Sequence, residues 1–435
     1  MQHGDYDVTV IGGGPAGLMA CVGAVQQGAR VLLIEKGDRL GRKLIISGGG
    51  RCNVTNNKDR AEMVAQIPGN GRFMHNALHQ FGSQEIIAFF ESLGVALKEE
   101  DHGRMFPVTD QAITVANTLI AYLQAHGVTV RLNAPVAGLD YASARVQGVR
   151  LASSQFLDAA AVVVAVGGKS VPRTGSTGDG YAWAQAAGHT ITHLYPTEAP
   201  LTSDAPWIQT RVLQGLSLQD VALTLYDGRG KRLTTQQGDM IFTHFGVSGP
   251  AALRLAHYVE VARQAGTDQG LTLAIDLVPA QSPEASYQEF RDLAQAQPNK
   301  ALKNLVKGLF PARMIPLILA NAGLAEDQLA GHLKKGQCQA LAQVRHRFAL
   351  PIRGTRSLEE AFVTGGGVSI KEIEPRTMAS KLITGLYFAG EIMDVHAHTG
   401  GYNITIAFAS GYVAGRAAAG YVQALKSAAA LPNNP

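Results

Sequence analysis

An α/β fold built on a buried parallel sheet is predicted by three features near the start of the chain. Val8–Ile11 is a run of apolar or β-branched residues typical of a buried strand, and an apolar helical segment follows it at residues 18–25. A second apolar run, Val31–Ile34, ends on an acid. Strand, helix and strand in this order indicate a βαβ unit, whose two strands lie parallel in one sheet.

The turn between the first strand and its helix predicts a dinucleotide site. Gly12 allows the tight turn, Gly14 lets the backbone approach a pyrophosphate, and Gly17 lets the helix pack closely on the strand. The helix start, with Pro15 and Ala16, presents free N–H groups to the pyrophosphate. Glu35 follows 23 positions after Gly12, where its carboxylate can accept from ribose hydroxyls, and Lys36 follows it.

Length and composition indicate a globular protein of two or three domains. The 435 residues are 46% hydrophobic and 17% charged, and no apolar run predicts a membrane span or a cleavable signal. Three unevenly spread cysteines (Cys21, Cys52 and Cys338) form neither a disulfide framework nor a metal-ligand spacing. We therefore expect a cytoplasmic protein with no metal site.

The net charge is small but unevenly distributed. Lys and Arg number 38 against 34 Asp and Glu, while residues 281–350 alone hold nine basic and five acidic residues. This excess equals the surplus of the whole chain. A solvated helical face is the simpler interpretation, and a face that contacts phosphates is the alternative.

A glycine-rich loop follows the second strand. Gly48, Gly49 and Gly50 stand between Ser47 and Arg51, a pattern that suits a loop lying against a flat or charged ligand rather than a helix. If the ligand is FAD, this loop reaches toward the isoalloxazine ring. Three basic side chains are then expected to pair with phosphates and two polar ones to bond the ring or the ribityl chain: Arg42, Lys43 and Arg51, and Ser47 and Asn53. A flexible linker is the alternative.

Residues 60–192 are expected to complete the first part of the nucleotide domain. Helical spacing predicts helices at residues 74–81, 84–93 and 113–126. Short strands at 128–132, 135–139 and 144–151 predict a small sheet, in which Val136 is a candidate FAD contact. A buried strand at 159–166 is expected to return to the central sheet and close Gly167 and Gly168 over the adenosine side.

The pattern of the sequence changes near residue 193, where β-type segments become frequent. Strand segments at 211–213, 221–226 and 270–278, separated by turns, predict an inserted β-rich domain, and His244 lies in one of its loops. We divide the chain into a first FAD-binding part (1–192), the inserted β-barrel-like domain (193–282), a small basic helical domain (283–350) and the returning FAD-binding segment (351–435). The fold class is thus a split Rossmann-like α/β domain with two insertions.

The returning segment repeats the pattern of a strand, glycines and a helix. A short strand ends on Gly390 and Glu391, and a glycine-rich loop then opens the last helix. Glu391 is expected to accept from a ribityl hydroxyl, and the helix start to stabilise the reduced flavin. The loop and helix start contribute the remaining FAD candidates, which are Gly400, Gly401, Tyr402, Asn403 and Ile404.

Together these motifs resemble the BaiN/RdsA (YhiN-type) family of bacterial FAD-dependent oxidoreductases. The resemblance covers essentially the whole chain, and its most specific blocks are Ser47-Gly-Gly-Gly-Arg-Cys-Asn53 and Thr399-Gly-Gly-Tyr-Asn403. It implies a split FAD domain, an inserted barrel-like domain and a helical domain. Activities attached to the family include dihydrouridine formation in large-subunit ribosomal RNA, reduction of unsaturated bile-acid intermediates and amine oxidation.

Reduction of a conjugated C=C bond needs hydride from flavin and a proton from an acid. The candidate acids are Cys52, His244, His396, His398 and Tyr402, with Cys52 first because an exposed thiol beside the ring can donate. A small packing residue is the equally weighted alternative for Cys52. No second dinucleotide motif is found, so NAD(P)H is expected to dock only transiently.

Three hypotheses about the acceptor remain open. Uridine in 23S ribosomal RNA contains an electron-poor C=C bond that reduced flavin can saturate, and the basic segment could contact the phosphates of the RNA. A small-molecule reductase or amine oxidase needs only an apolar pocket. A flavin sensor without catalysis is the least favoured. The oligomeric state is left open.

Overall fold

The computed structural model describes residues 5–430. Contacts divide the chain into two compact units, which we call the nucleotide unit (residues 1–195 with 358–435) and the inserted unit (residues 196–357). The nucleotide unit is therefore built from two separated stretches of sequence. The inserted unit contains both the β-rich segment and the basic helical segment.

Twenty strands and fifteen α-helices form the described part of the chain. The strands are β1 (Val8–Ile11), β2 (Val31–Ile34), β3 (Thr55–Asn56), β4 (Leu97–Glu100), β5 (Arg104–Pro107), β6 (Thr129–Arg131), β7 (Val136–Ala142), β8 (Arg145–Leu151), β9 (Phe156–Asp158), β10 (Ala161–Val164), β11 (Tyr195–Thr197), β12 (Leu201–Thr202), β13 (Ser217–Tyr226), β14 (Arg232–Phe242), β15 (Gly246–Ser248), β16 (Thr272–Asp276), β17 (Phe348–Pro351), β18 (Gly354–Thr355), β19 (Val363–Gly365) and β20 (Leu386–Phe388). The α-helices are α1 (Pro15–Val25), α2 (Arg42–Ile46), α3 (Arg60–Ala65), α4 (His75–Gln80), α5 (Ser83–Ser92), α6 (Ala112–Ala125), α7 (Asp179–Ala186), α8 (Pro206–Gln209), α9 (Pro250–Leu253), α10 (Ala256–Gln264), α11 (Pro283–Ala296), α12 (Leu302–Leu305), α13 (Ile315–Asn321), α14 (Lys335–His346) and α15 (Tyr402–Ala430).

The nucleotide unit is organised around a five-stranded sheet in the order β20-β10-β1-β2-β6. All four strand pairs are parallel, and β1, β2, β10 and β20 are completely buried. Burial on both faces explains why these strands read as uninterrupted apolar runs. The Rossmann-like parallel sheet expected from the sequence is confirmed, including the return of the strand near residue 160 to this sheet, where β10 lies between β20 and β1.

One strand lies in a different sheet from the one expected. Residues 128–132 were expected in the small crossing sheet, but β6 pairs with β2 at the edge of the parallel sheet. The small antiparallel sheet contains β7, β8 and β9 instead. Three β-type residues at Thr129–Arg131 are compatible with either sheet, because so short a run carries no information about its partner.

Two helices pack unusually closely in this unit. Helix α15 from the returning segment lies against α1, and glycines of both helices lie in the contact, Gly23 on α1 and Gly411 and Gly415 on α15. A Cβ on Gly411 would lie 2.1 Å from the carbonyl oxygen of Ala16, and one on Gly415 would lie 1.9 Å from that of Ala20. Any side chain here would push the helices apart, so these glycines are required by backbone proximity. The helix that carries the nucleotide turn is thus buried only when α15 is in place.

The inserted unit contains a seven-stranded antiparallel sheet in the order β17-β16-β13-β14-β15-β12-β18. Leu223, Leu225, Leu273, Ile275 and Phe348 on one of its faces are buried. The two outermost strands of this described sheet do not pair with each other, so the barrel-like closure expected from the sequence is not observed. Alternating apolar residues predict one buried face, but they do not determine whether a sheet closes.

The helix predictions at residues 74–81, 84–93 and 113–126 are confirmed to within one or two residues by α4, α5 and α6. The strand expected at 211–213 is wrong: Arg211 has φ +62° and its N–H bonds back to Ile208 O, so the segment is a turn after α8. The basic helical segment ends at His346, and β17 follows it. No helix among residues 5–430 is long and apolar enough to span a membrane.

Candidate functional site

The first glycine turn has the geometry of a phosphate-binding loop. Gly12 has φ +103°, and a Cβ there would lie 2.5 Å from Ala165 O, while a Cβ on Gly17 would lie 1.8 Å from Gly12 O. Both positions therefore require glycine. By contrast, no described atom lies within 4 Å of a Cβ built on Gly14. Helix α1 begins at Pro15, so the space beside Gly14 lies at the N–H end of an eleven-residue helix.

Glu35 is bonded to this turn. Its Oε2 accepts from Gly13 N–H and its Oε1 from Gly37 N–H, each at 2.7 Å. Each oxygen of an ionised carboxylate has a second lone pair, so both can still accept from a ribose hydroxyl. Gly13 was not among the expected site residues, although its place inside the glycine run could have indicated it. Ala134 N–H donates to Glu35 O at 3.0 Å, which brings the chain two residues before Val136 to the same turn.

Lys43 and Glu391 join the two halves of the nucleotide unit. Lys43 Nζ lies 2.6 Å from Glu391 Oε2, and Oε1 accepts from Ser170 Oγ and Thr364 N–H, each at 2.8 Å. Burial opposes ionisation of Glu391, but the Lys43 ammonium and the two hydrogen bonds outweigh it and lower the pKa of this carboxyl. Ser170 and Thr364 were not anticipated from the sequence, because they stand beside glycine pairs that lie far apart along the chain.

Gly168 and Gly390 are positions of close approach around this cluster. A Cβ on Gly168 would lie 2.4 Å from Thr364 Oγ1 and 3.1 Å from Glu391 Oε1. A Cβ on Gly390 would lie 2.7 Å from the Cβ of Ala16, which brings the returning segment to the first turn of α1. Gly167, with φ +75°, faces the Ser176 hydroxyl. The structure therefore collects the glycines of three distant motifs at one end of the parallel sheet.

The basic residues near this turn already have carboxylate partners. Arg42 lies 2.5 Å from Asp38, Lys36 lies 2.6 Å from Asp179, and Arg51 pairs with Asp110 and Glu100. Arg42, Lys43 and Arg51 were expected to pair with phosphates, and that stays a prediction; in the structure each of them has a carboxylate partner. Asp38 lies only four positions from Arg42, a spacing that a local pattern could indicate, whereas the partners of Arg51 and Lys43 lie 49, 59 and 348 positions away.

The triple-glycine loop is a left-handed turn. Gly48, Gly49 and Gly50 have φ of 56°, 69° and 88°, and no described atom lies within 4 Å of a Cβ built on either of the last two. Ser47 Oγ donates to Leu44 O at 2.7 Å. The non-helical backbone expected of this loop is confirmed, whereas the Ser47 hydroxyl proton is engaged by its own helix α2.

Cys52 is buried, contrary to the expectation of an exposed thiol. None of its surface is accessible, and its φ is +61°. Burial raises the pKa of the thiol to about 12, with a small opposing effect from its hydrogen bond to Ser47. The alternative interpretation, a small packing residue, describes this environment better.

Asn53 presents an unsatisfied acceptor beside the second glycine loop. Its Oδ1 is buried, has no hydrogen-bond partner among the described residues, and lies 2.8 Å from a Cβ built on Gly401. Nearby, Asn56 Nδ2 donates to Gly400 O at 3.0 Å. Gly400 and Gly401 have φ of 126° and 94°. A buried acceptor of this kind is a position where a ligand donor can be satisfied.

The loop that opens α15 holds three candidate acids in buried positions. His396, His398 and Tyr402 are 1%, 3% and 4% exposed. The Asn403 side chain makes two hydrogen bonds to the Ala397 backbone and so shapes this loop. Its Oδ1 accepts from Ala397 N–H at 2.9 Å, and its Nδ2 donates to Ala397 O at 2.7 Å. The expected contact of Asn403 with FAD stays a prediction. Ile404, the third residue of α15, is partly buried.

His244 and Asp394 are the remaining titratable residues of interest. His244 is exposed in the turn between β14 and β15 of the inserted unit, beside the ring of Phe245. Asp394 was not anticipated: burial raises the pKa of its carboxyl, against hydrogen bonds from Thr192 and Asn70. An acid three positions after Glu391 was the available signal. Residues 5–430 hold no group of three His, Cys, Asp or Glu that could bind a metal.

These residues fit FAD. The open space beside Gly14 at the start of α1 suits a pyrophosphate, Glu35 has acceptor capacity for a ribose, and the buried Asn53 acceptor can take a ligand donor. The cradle lies at the carboxyl ends of parallel strands, where ligands of open α/β sheets bind.

Comparisons with known proteins agree with this description. The family model for the HI0933-like protein Rossmann domain matches residues 6–417. The chain is 30% identical to a 3-dehydro-bile acid delta(4,6)-reductase of Clostridium scindens, over 95% of this chain and 98% of that protein. It is 32% identical to a ribosomal RNA dihydrouridine synthase of Escherichia coli, over 94% and 96% of the two chains.

Solved structures support the fold. A 3-ketosteroid-delta4-(5alpha)-dehydrogenase from Rhodococcus jostii is 18% identical, with a TM-score of 0.52 over 96% of this chain and 98% of that chain. The family resemblance drawn from the motifs is confirmed by the family model and by the curated relatives. The chain belongs to the HI0933-like Rossmann-domain family, a family of FAD-dependent oxidoreductases, and is an enzyme.

Proposed function

We propose that this enzyme is an FAD-dependent reductase that saturates uridine in 23S ribosomal RNA to dihydrouridine. The observation that carries the proposal is the similarity to dihydrouridine synthases from two organisms over nearly the whole chain. The Escherichia coli protein is 32% identical, and the Haemophilus influenzae protein is 29% identical over 93% of this chain and 96% of that one.

The distribution of charge supports an RNA substrate. Residues 196–357 contain 17 Lys and Arg against 13 Asp and Glu, whereas the rest of the chain contains 21 of each. The whole surplus of +4 therefore belongs to the inserted unit. Eight of the nine basic residues at 281–350 are exposed, and none of the eight forms an ion pair with a described residue. The ninth, Arg345, is buried, and its Nη1 lies 2.5 Å from Glu289 Oε2. Unpaired exposed cations are available to phosphates.

The chain's own residues bind and orient the cofactor in this proposal. The start of α1 binds the pyrophosphate, Glu35 binds the adenosine ribose, and Lys43 holds Glu391 ionised at the edge of the site. When bound, FAD supplies hydride transfer. An acid of the chain then supplies the proton that completes saturation.

We assign Cys52 a packing role and look elsewhere for the proton donor. His396, His398 and Tyr402 remain candidates because they share the loop that opens α15. His244 remains a candidate on the inserted unit, where it is exposed. NAD(P)H is proposed as the electron donor. Because the sequence shows a single dinucleotide motif, NAD(P)H would bind and leave before the acceptor binds, which gives ping-pong kinetics.

Reduction of a small unsaturated molecule is the second proposal. It rests on the Clostridium scindens relative, a bile-acid reductase that is similar to this chain over 95% of its length. A steroid-like acceptor requires an apolar pocket and no phosphate contacts. Turnover of such an acceptor would be insensitive to salt, whereas turnover of RNA would fall steeply as salt is added.

The deciding experiment measures dihydrouridine in 23S ribosomal RNA by mass spectrometry, in cells with and without the gene. We expect the modification to disappear on deletion and to return with the wild-type chain but not with Gly14→Val. Unchanged dihydrouridine on deletion would remove the RNA proposal and favour the small-molecule one. An rRNA substrate also requires that the enzyme work in the cytoplasm.

A further inference from the structure

The seven-stranded sheet of the inserted unit has a polar face opposite its buried face. Tyr226 on β13 is the direct antiparallel partner of Arg232 on β14 and of Thr272 on β16, so the three side chains share a face. All three are at least partly exposed. The neighbouring Leu225 points to the opposite face and is completely buried. The end of this sheet near the β13–β14 turn therefore presents a polar surface to solvent.

The β13–β14 turn carries an excess of unpaired positive charge. Arg229, Lys231 and Arg232 fall within four residues, and all are exposed. None of them forms an ion pair with any residue between 5 and 430. The acid of the turn, Asp227, is used internally, because its Oδ1 accepts from the backbone N–H groups of Arg229 and Lys231 at 2.9 and 2.8 Å. The cations are thus held on a defined turn and have no acidic partner among the described residues.

Arg347 adds a fourth cation and fixes it over an aromatic ring. It follows α14 immediately, and its guanidinium carbon lies 4.6 Å from the centre of the Tyr226 ring. Its neighbour Phe348 enters the buried face, which directs Arg347 to the polar one. Arg347 is exposed and, like the turn cations, makes no ion pair with a described carboxylate.

We propose that this surface, formed by Tyr226, Arg229, Lys231, Arg232 and Arg347, binds a single-stranded segment of the RNA substrate. A partly exposed ring under a guanidinium offers a stacking platform for a base, and the three turn cations lie beside it to contact successive phosphates. Duplex recognition would not need the ring. The assignment rests on the proposed RNA substrate and adds to it the site at which the RNA is held.

The test compares two matched triple variants of the FAD-loaded protein. Arg229→Gln/Lys231→Gln/Arg232→Gln removes three charges from the surface, and Arg60→Gln/Lys371→Gln/Lys381→Gln removes three exposed charges from the nucleotide unit, none of which forms an ion pair with a described residue. Binding of a fluorescein-labelled, uridine-rich 12-nucleotide RNA is followed by anisotropy between 50 and 300 mM KCl. Flavin absorbance and far-UV circular dichroism verify that each variant is folded.

We expect the turn variant to bind about 10–100-fold more weakly at 0.1 M salt, with the log–log salt slope reduced by about 2, since each single-strand phosphate contact contributes roughly 0.7. The control variant of the nucleotide unit should lose less than about 3-fold. Tyr226→Leu, which changes no charge, should weaken binding about 5–30-fold at unchanged slope, as expected for one lost stacking contact.

Equal losses in the two triple variants, or no loss in Tyr226→Leu, would overturn the assignment. Dihydrouridine formation on a 23S transcript is measured in parallel to separate this assignment from the function itself. If the wild type modifies the transcript while the surface variants bind RNA normally, the surface is wrong and the function stands. If the wild type forms no dihydrouridine, the proposed function fails whatever the binding result.

Discussion

Replacing Lys43 with methionine tests whether the ion pair between the two halves of the nucleotide unit stabilises the fold. Methionine keeps the length of the apolar stem and removes the charge, which leaves the Glu391 carboxylate with only its bonds to Ser170 and Thr364. Lys36→Met is the matched control, because Lys36 and Asp179 also lie 2.6 Å apart. The two pairs differ in burial, not in distance.

The expected magnitudes follow from that difference. The side chains of Lys43 and Glu391 are 24% and 19% exposed, whereas those of Lys36 and Asp179 are 31% and 41% exposed. Removing one partner of a fully buried pair costs about 3–5 kcal/mol, and exposed pairs contribute about 0–1 kcal/mol. We therefore expect Lys43→Met to lower the free energy of unfolding by about 2 kcal/mol and Lys36→Met by less than about 1 kcal/mol.

The loss should also depend on pH. The pKa of Glu391 is lowered in the folded state, so its contribution is present above the ordinary carboxyl pKa and disappears as pH falls through the folded pKa. Urea unfolding of the FAD-loaded protein, followed by flavin fluorescence at pH 7 and pH 4, measures both effects. Equal losses in Lys43→Met and Lys36→Met at pH 7, or a Lys43→Met loss that grows toward pH 4, would refute this reasoning.

Three further outcomes are expected. Gly14→Ala should leave the fold intact, because its Cβ meets open space, but should weaken FAD binding at least about 10-fold by obstructing the pyrophosphate position. Gly17→Ala places a Cβ 1.8 Å from Gly12 O, so urea unfolding should show that the FAD-free protein itself is destabilised. Cys52→Ala should keep turnover within about 3-fold of wild type with flavin bound, and a loss beyond about 100-fold would restore the thiol as proton donor. Burial opposes ionisation of Asp7, but its arginine and lysine partners lower the pKa of this carboxyl to about 2. The Asp7 carboxylate should therefore contribute about 2 kcal/mol to the free energy of unfolding at pH 7. In urea titrations, Asp7→Asn should be less stable than wild type at pH 7 and should converge on it near pH 2.

The sequence was sufficient where a motif is local. Gly12, Gly17 and Glu35 lie within 24 positions, and each role depends on backbone geometry that the motif itself specifies. The partner of Lys43 lies 348 positions away, and those of Arg51 lie 49 and 59 positions away, so their ion pairs could not be anticipated. The same limit explains Cys52: its loop was correctly identified, but its burial depends on packing that the loop's own residues do not encode.

The close packing of α1 against α15 has a consequence for synthesis. A ribosome releases the first 195 residues long before Gly411 and Gly415 exist, so the nascent α1 leaves the exit tunnel without the neighbour that covers it. The inserted unit is contiguous and can complete its core first. We expect stalled nascent chains that expose residues up to 400 to contain a protease-resistant 196–357 segment beside a protease-sensitive nucleotide turn. Competence to bind cofactor is then acquired only after α15 has left the ribosome.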